Sequence, residues 1–185
     1  MFLKFNKSNK LPATLPKFQE KVVDSKGYSF ILRYATVEDI DSLVRIEEAV
    51  YAGSAPWLLR DFLSELSRTQ VRLYLVVERH SQVIGFAGGA YQRDKKDMHI
   101  TNIAVVPIWQ NAGLGTIMIN EMADFSQHVG IVTMSLEARA SNHRAITLYQ
   151  RLGFQKSGIK PGYYMGDHED AVSMVKKIDN KISNN

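Results

Sequence analysis

Residues 102–116 read Asn-Ile-Ala-Val-Val-Pro-Ile-Trp-Gln-Asn-Ala-Gly-Leu-Gly-Thr, an apolar run that stops at Pro107 and then passes through two glycines. Leu114, Met118, Met122, Phe125 and Val129 recur at helical spacing behind it and predict a long helix over 113–129. The order strand, glycine loop, helix has a physical meaning. Glycine lets the backbone turn tightly and approach a ligand closely. The first amides of a helix have no intrahelical acceptor and sit at the positive end of its dipole, so such a loop suits a pyrophosphate. A P-loop would end in Gly-Lys-Ser/Thr, and Gly115-Thr116 lacks the lysine. A dinucleotide fingerprint would need a third glycine, and position 118 is Met. Gln-x-x-Gly-x-Gly remains, at Gln110, Gly113 and Gly115.

Upstream, Val71, Leu73, Leu75 and Val77 alternate with Arg72, Tyr74 and Val76, the pattern of a strand with one strongly apolar face. His80-Ser81-Gln82 predicts a hairpin turn into a strand over 83–92, and residues 94–97 a second turn into a strand over 98–106. Such short connections make these three strands antiparallel neighbours. An earlier strand is expected over 29–33. Thr36 through Asp39 then reads as a capping box, opening a helix whose apolar residues include Ile40, Leu43 and Val44. Pro56 is placed in the first turn of a second helix, with Leu59, Phe62, Leu63 and Leu66 as its buried stripe. Downstream, a strand over 132–137, a helix over 142–151 and strands from 154 and over 171–176 complete the chain. The expected fold is α/β: a mixed, mostly antiparallel sheet flanked by helices on both faces, with one βαβ crossover at the glycine loop.

The bulk composition excludes several classes. At 185 residues, 45% hydrophobic and 23% charged, the chain has the composition of an ordinary globular domain. No apolar run approaches the ~20 residues that span a bilayer, and no signal-peptide pattern opens the chain, so a cytoplasmic protein without a membrane partner is expected. Absence of cysteine removes disulfides, thiolate metal sites and a cysteine nucleophile together. The five histidines, His80, His99, His128, His143 and His168, show no ligand spacing, and no metal is expected. Lys4, Lys7, Lys10, Lys17, Lys21 and Lys26, against Glu20 and Asp24, carry the whole net charge of +4. The basic character therefore belongs to residues 1–27, read as a solvated extension. A domain over 28–178 and a polar tail over 179–185 follow. With no arginine cluster or interleaved aromatics, neither DNA binding nor specific RNA readout is expected.

Two blocks in the correct order resemble the GNAT acetyltransferases. The first is Asn102 to Pro107 followed by the Gln110–Gly115 loop. The second is Leu136-Glu-Ala-Arg-Ala-Ser-Asn142 followed by Ala145-Ile-Thr-Leu-Tyr-Gln-Arg-Leu-Gly-Phe154. Within the superfamily these blocks, with Gly162-Tyr-Tyr164 and Glu169-Asp-Ala171, are most similar to the bacterial ribosomal-protein-alanine N-acetyltransferases. The resemblance spans roughly residues 29–178. It implies acetyl-CoA as cosubstrate, held by Gln110, Asn111, Ala112, Gly113, Leu114, Gly115 and Thr116, with the backbone of Ile103, Ala104 and Val105 beside the pantetheine like an added strand. Asn142 is expected to bond the pantetheine arm or to hold the strand-to-helix turn. The family's general base and general acid match Glu137 and Tyr149. Without cysteine, a cysteinyl acetyl-enzyme is impossible, and direct attack in a ternary complex is the simpler route.

The acceptor implied by the resemblance is the N-terminal alanine of a ribosomal protein. Intrinsic acidity points the same way: at neutral pH, deprotonating a lysine costs roughly 3.5 kcal/mol more than deprotonating an α-ammonium. Pro56, Trp57, Tyr163 and Tyr164 could line a peptide groove or serve the core. Alternatives are an acetyltransferase of a small-molecule amine and a module that binds coenzyme A without turnover.

Overall fold

The structure, a computed structural model, describes residues 11–51 and 56–178. Eight strands form one open sheet: β1 (Lys21–Ser25), β2 (Tyr28–Tyr34), β3 (Arg72–Arg79), β4 (Gln82–Gln92), β5 (Asp97–Val105), β6 (Thr133–Arg139), β7 (Gln155–Lys160) and β8 (Ala171–Lys177). Four α-helices accompany them: α1 (Ile40–Val50), α2 (Leu59–Leu66), α3 (Leu114–His128) and α4 (His143–Arg151). The order across the sheet is β1-β2-β3-β4-β5-β6-β8-β7. Every pairing is antiparallel except β5 with β6, which α3 joins as the crossover.

The central meander follows the alternation of the sequence, with one difference. Leu73, Leu75 and Val77 of β3 pack on the side of α3 and α4, while Tyr74 and Val76 pack with α1 and α2 on the other side. Helices cover both faces, so β3 is buried on both and its apolar residues are not confined to one. The His80-Ser81 turn takes two left-handed residues (φ 48° and 60°), as a tight two-residue hairpin requires. At the start of α1, the Asp39 carboxylate accepts from the Thr36 amide at 2.8 Å, the reach-back half of the capping box.

Three expectations are corrected. The segment read as a solvated extension contributes β1 to the sheet, paired antiparallel with β2 from Lys21↔Leu32 to Ser25↔Tyr28. Lys26 and Gly27, both at positive φ, form the turn between them, so the expected boundary falls inside a hairpin. Leu15 is buried, its amide donates to the Gln70 carbonyl, and the Tyr91 hydroxyl donates to the Pro12 carbonyl. Lys21 pairs with Glu121 of α3. Residues 1–10, with Lys4, Lys7 and Lys10, and the tail 179–185 lie outside the described residues. Second, Pro56 precedes α2 rather than opening it; the helix starts at Leu59. Third, only Phe62 and Leu66 of the expected stripe are buried, whereas Leu59 and Leu63 face outward. A two-turn helix that rests by one edge, with Phe62 set edge-on to Phe86 at 5.4 Å, has room to bury only that edge.

The feature that positions the site is a divergence. β5 pairs with β6 only from Asp97↔Thr133 to Ile100↔Leu136, although both strands continue. The register of β4 against β5 shifts at this point, leaving Thr101 as an extra residue. Beyond it β5 stays with β4, β6 stays with β8, and a wedge opens between them.

Candidate functional site

The wedge continues into a cleft of about 1300 Å³. One end is built by the glycine loop. Trp109 fixes the loop to β2 by edge-on contacts with Tyr28 and Phe30, at ring separations of 5.2 and 5.4 Å. Gln110 turns back, its side-chain amide donating to the Val105 carbonyl at 3.1 Å. Gly113 has φ 82°, a left-handed conformation that releases α3 at Leu114 with its first amides toward the cleft. Ser25, at the end of β1, donates to the Ala112 carbonyl at 2.6 Å. The N-terminal hairpin therefore buttresses the loop from behind. Of the loop residues predicted from sequence, Gln110, Asn111, Gly113, Leu114, Gly115 and Thr116 line the cleft, while Ala112 lies behind it. Ile103, Ala104 and Val105 line it as the diverging wall of β5.

The start of α4 reaches the same end. Asn142 lines the cleft and caps this helix, its Oδ1 accepting from the Ala145 amide at 3.0 Å; this is the turn-holding contact. Arg144 donates to the Asn111 side chain and ties the two helix starts together. Lys26, His143, Arg144 and Arg151 also line the cleft, so cationic side chains and helix N-termini fall on one cleft.

At the other end, Glu137 of β6 is held from three directions. Lys160 Nζ stands 2.8 Å from Oε1, Ser173 donates to the same oxygen at 3.3 Å, and His99 Nε2 lies 3.1 Å from Oε2. His99 in turn meets Ser135 at 2.9 Å, and Ser135 donates to Asp97 at 2.5 Å. Tyr149 of α4 lines the cleft with its ring edge-on to Phe154, and its hydroxyl makes no hydrogen bond with any described residue. Burial, and then the neighbouring phenols of Tyr164 and Tyr51, push it well above the ordinary tyrosine value, so it is a hydroxyl that keeps its proton.

The loop between β7 and β8 carries Tyr163 and Tyr164 to the rim, their rings edge-on at 5.2 Å. Glu169 holds this loop, accepting from the Ser141 amide at 2.8 Å and from Arg139 at 2.7 Å. Those two donors bring its carboxyl down to about 2. Arg139 also lies over the Tyr164 ring at 4.2 Å. Trp57 lines the opposite side and contacts Phe62.

Sequence reasoning passed over two residues. Glu47 falls in the buried stripe of α1, where Ile40, Leu43 and Ile46 are its companions. Its side chain is buried in the wall of the cleft, Oε2 has no partner among the described residues, and burial pushes the carboxyl up to about 7. A carboxylate at 40, 43, 47 spacing was the available signal. Asn102 is the second. Its Oδ1 accepts from the Tyr74 hydroxyl at 3.0 Å, its Nδ2 is buried with no partner among the described residues, and the residue lines the cleft. Among the described residues there is no group of three His, Asp or Glu able to hold a metal, and no helix long and apolar enough to cross a membrane.

The profile of the acetyltransferase (GNAT) family matches residues 38–154. The [ribosomal protein bS18]-alanine N-acetyltransferase of Salmonella typhimurium is 33% identical over 142 residues, 76% of this chain and 92% of that one. The crystal structure of the ribosomal-protein-S18-alanine N-acetyltransferase from Escherichia coli superposes with a TM-score of 0.73 at 28% identity, covering 84% of this chain and 98% of that one. The PaiA N-acetyltransferase from Thermoplasma acidophilum, solved in complex with coenzyme A, shares the fold at 18% identity and a TM-score of 0.67, covering 81% of this chain and 99% of that one.

Proposed function

The chain belongs to the acetyltransferase (GNAT) family of N-acetyltransferases, which use acetyl-CoA, and from that premise we propose that it acetylates the N-terminal α-amino group of a protein, a ribosomal protein alanine in the first instance. The observation that carries this reading is that one cleft holds both an anion site and carboxylates. Helix starts with Lys26 and Arg144 supply positive potential for an anionic cofactor, while two carboxylates that line the same cleft, Glu47 and Glu137, suit a cationic amine. The relatives named for ribosomal-protein alanine support the choice of acceptor. Tyr163, Tyr164 and Trp57 at the rim offer aromatic walls to an extended peptide.

In this reading the pyrophosphate sits on the amides from Gly113 to Thr116, and the pantetheine runs along the unpaired edge of β5. An amide of the 103–105 segment polarises the thioester carbonyl. The amine must lose a proton before or during attack; Glu137 takes it through a water, its carboxylate fixed by Lys160, His99 and Ser173. The nitrogen lone pair adds to the carbonyl carbon and the C–S bond breaks. Tyr149, a hydroxyl that keeps its proton at rest, gives that proton to the departing thiolate and is reprotonated by the second N–H proton shed by the new amide nitrogen. Tyr149→Phe and Glu137→Gln are each expected to lower turnover about 10²–10⁴-fold with coenzyme A affinity near that of the native chain. The test combines the chain and acetyl-CoA with peptides bearing free or blocked N-termini, internal lysines, polyamines and amino sugars, and follows thiol release and product mass. Acetylation confined to small amines, or full activity in both variants, would overturn the proposal.

A further inference from the structure

We propose that Glu47 is the docking group for the acceptor's ammonium, an anchor on α1 separate from the Glu137 and Tyr149 pair that handles protons. The inference deepens the proposed function and rests on it. Two acidic side chains line the cleft, Glu47 and Glu137. Glu137 is already occupied by Lys160, His99 and Ser173, so an incoming ammonium would have to displace one of them. Glu47 is 1% exposed and its Oε2 has no hydrogen-bond partner among the described residues. No ion pair among the described residues includes it.

A buried carboxylate without a partner is costly, and folded chains retain such a group where a ligand completes it. The ligand chemistry is restricted by the oxygen itself: it must be a cation or a hydrogen-bond donor, and a protonated primary amine is both. Placement is right as well. Glu47, Tyr51 (one turn beyond it at the end of α1) and Tyr149 line the same cleft. A nitrogen docked on Glu47 therefore shares that cleft with the hydroxyl assigned to the leaving sulfur. Glu47 also answers why the raised proton affinity of this carboxyl is tolerated: the ammonium supplies the missing charge when it binds.

The experiment uses the full chain saturated with coenzyme A, titrated by calorimetry with an alanyl peptide and with its des-amino counterpart, in which propionyl replaces alanyl. The native chain is expected to prefer the amine by about tenfold or more, and Glu47→Gln to reduce that preference to within about twofold, with coenzyme A affinity unchanged. In turnover, the acceptor KM should rise by about tenfold while kcat stays within about threefold, and Glu47→Asp should recover part of the loss. A thermal melt of Glu47→Gln no lower than that of the native chain shows that the fold is kept. An undiminished preference in Glu47→Gln, or equal binding of both peptides by the native chain, would overturn the proposal. Failure of the proposed function looks different: the native chain would then acetylate no peptide, whatever Glu47 does to binding.

Discussion

Replacing Glu47 by Gln should stabilise the free chain, and by an amount that depends on pH. The carboxyl has an ordinary value of 4.5 and is pushed up to about 7 by burial. Between those values the folded chain keeps a proton that the unfolded chain has already released. Unfolding therefore releases a proton, and stability falls as pH rises from 4.5 to about 7, then levels off. The interval of about 2.5 units, at 1.36 kcal/mol each, sets the cost of the charged buried form at about 3 kcal/mol above pH 8. Glutamine mimics the protonated form and escapes that cost. At pH 8 the variant should exceed the native chain by up to about 3 kcal/mol, or about 6–12 °C in Tm for a chain of this size. Near pH 4.5 the two should melt together. Circular-dichroism melts of both chains from pH 4.5 to 8.5 test this, because other titrating groups cancel in the difference. A variant that melts lower than the native chain at pH 8, or a difference that does not change with pH, would refute the reasoning.

Two further outcomes follow from contacts behind the site. Gly113 has φ 82° and an added Cβ would lie 2.9 Å from Ser25 Oγ, so Gly113→Ala should destabilise by about 1–2 kcal/mol and raise the KM for acetyl-CoA; Ser25→Ala should raise that KM more mildly, and no change in either would detach the N-terminal hairpin from the loop's function. Glu169→Gln removes the charge that holds Arg139 and the Ser141 amide, so the acceptor KM should rise while the acetyl-CoA KM stays put, measured by steady-state kinetics on each substrate. Because this carboxyl sits at about 2, the same clamp in the native chain is present above pH 4.5 and is lost as pH falls toward 2, which tyrosine near-ultraviolet dichroism from Tyr163 and Tyr164 would follow.

Local pattern was enough for β3, β4, β5 and α3, because their periods are strong and their turns short. It missed β1, where the signal is a pair of valines, Val22 and Val23, between charged residues that suit a sheet edge. The turn at Lys26-Gly27 lacks the asparagine or aspartate that marks a two-residue hairpin. The motif blocks led to Glu137 and Tyr149, but not to their surroundings. Lys160, His99 and Ser173 come from β7, β5 and β8, and no spacing along the chain brings them to Glu137. The wedge is equally non-local: it arises because the β5–β6 pairing stops at Ile100↔Leu136 and not before or after.

The wedge also constrains how the two substrates meet. In the proposed reading, the helix starts with Lys26 and Arg144 draw the anionic cofactor, and the carboxylates Glu47 and Glu137 draw the ammonium. Each substrate then has its own attracting groups, and their reacting atoms meet within the one cleft that Tyr149 also lines. Misbinding is disfavoured twice, by lost attraction and by like-charge repulsion, which is how electrostatic complementarity yields orientation more than affinity. The unpaired carboxyl of Glu47 lowers the stability of the free chain and is the same group that gives the acceptor its address. Stability and acceptor selection are therefore coupled through one oxygen, and any substitution that relieves the first should weaken the second.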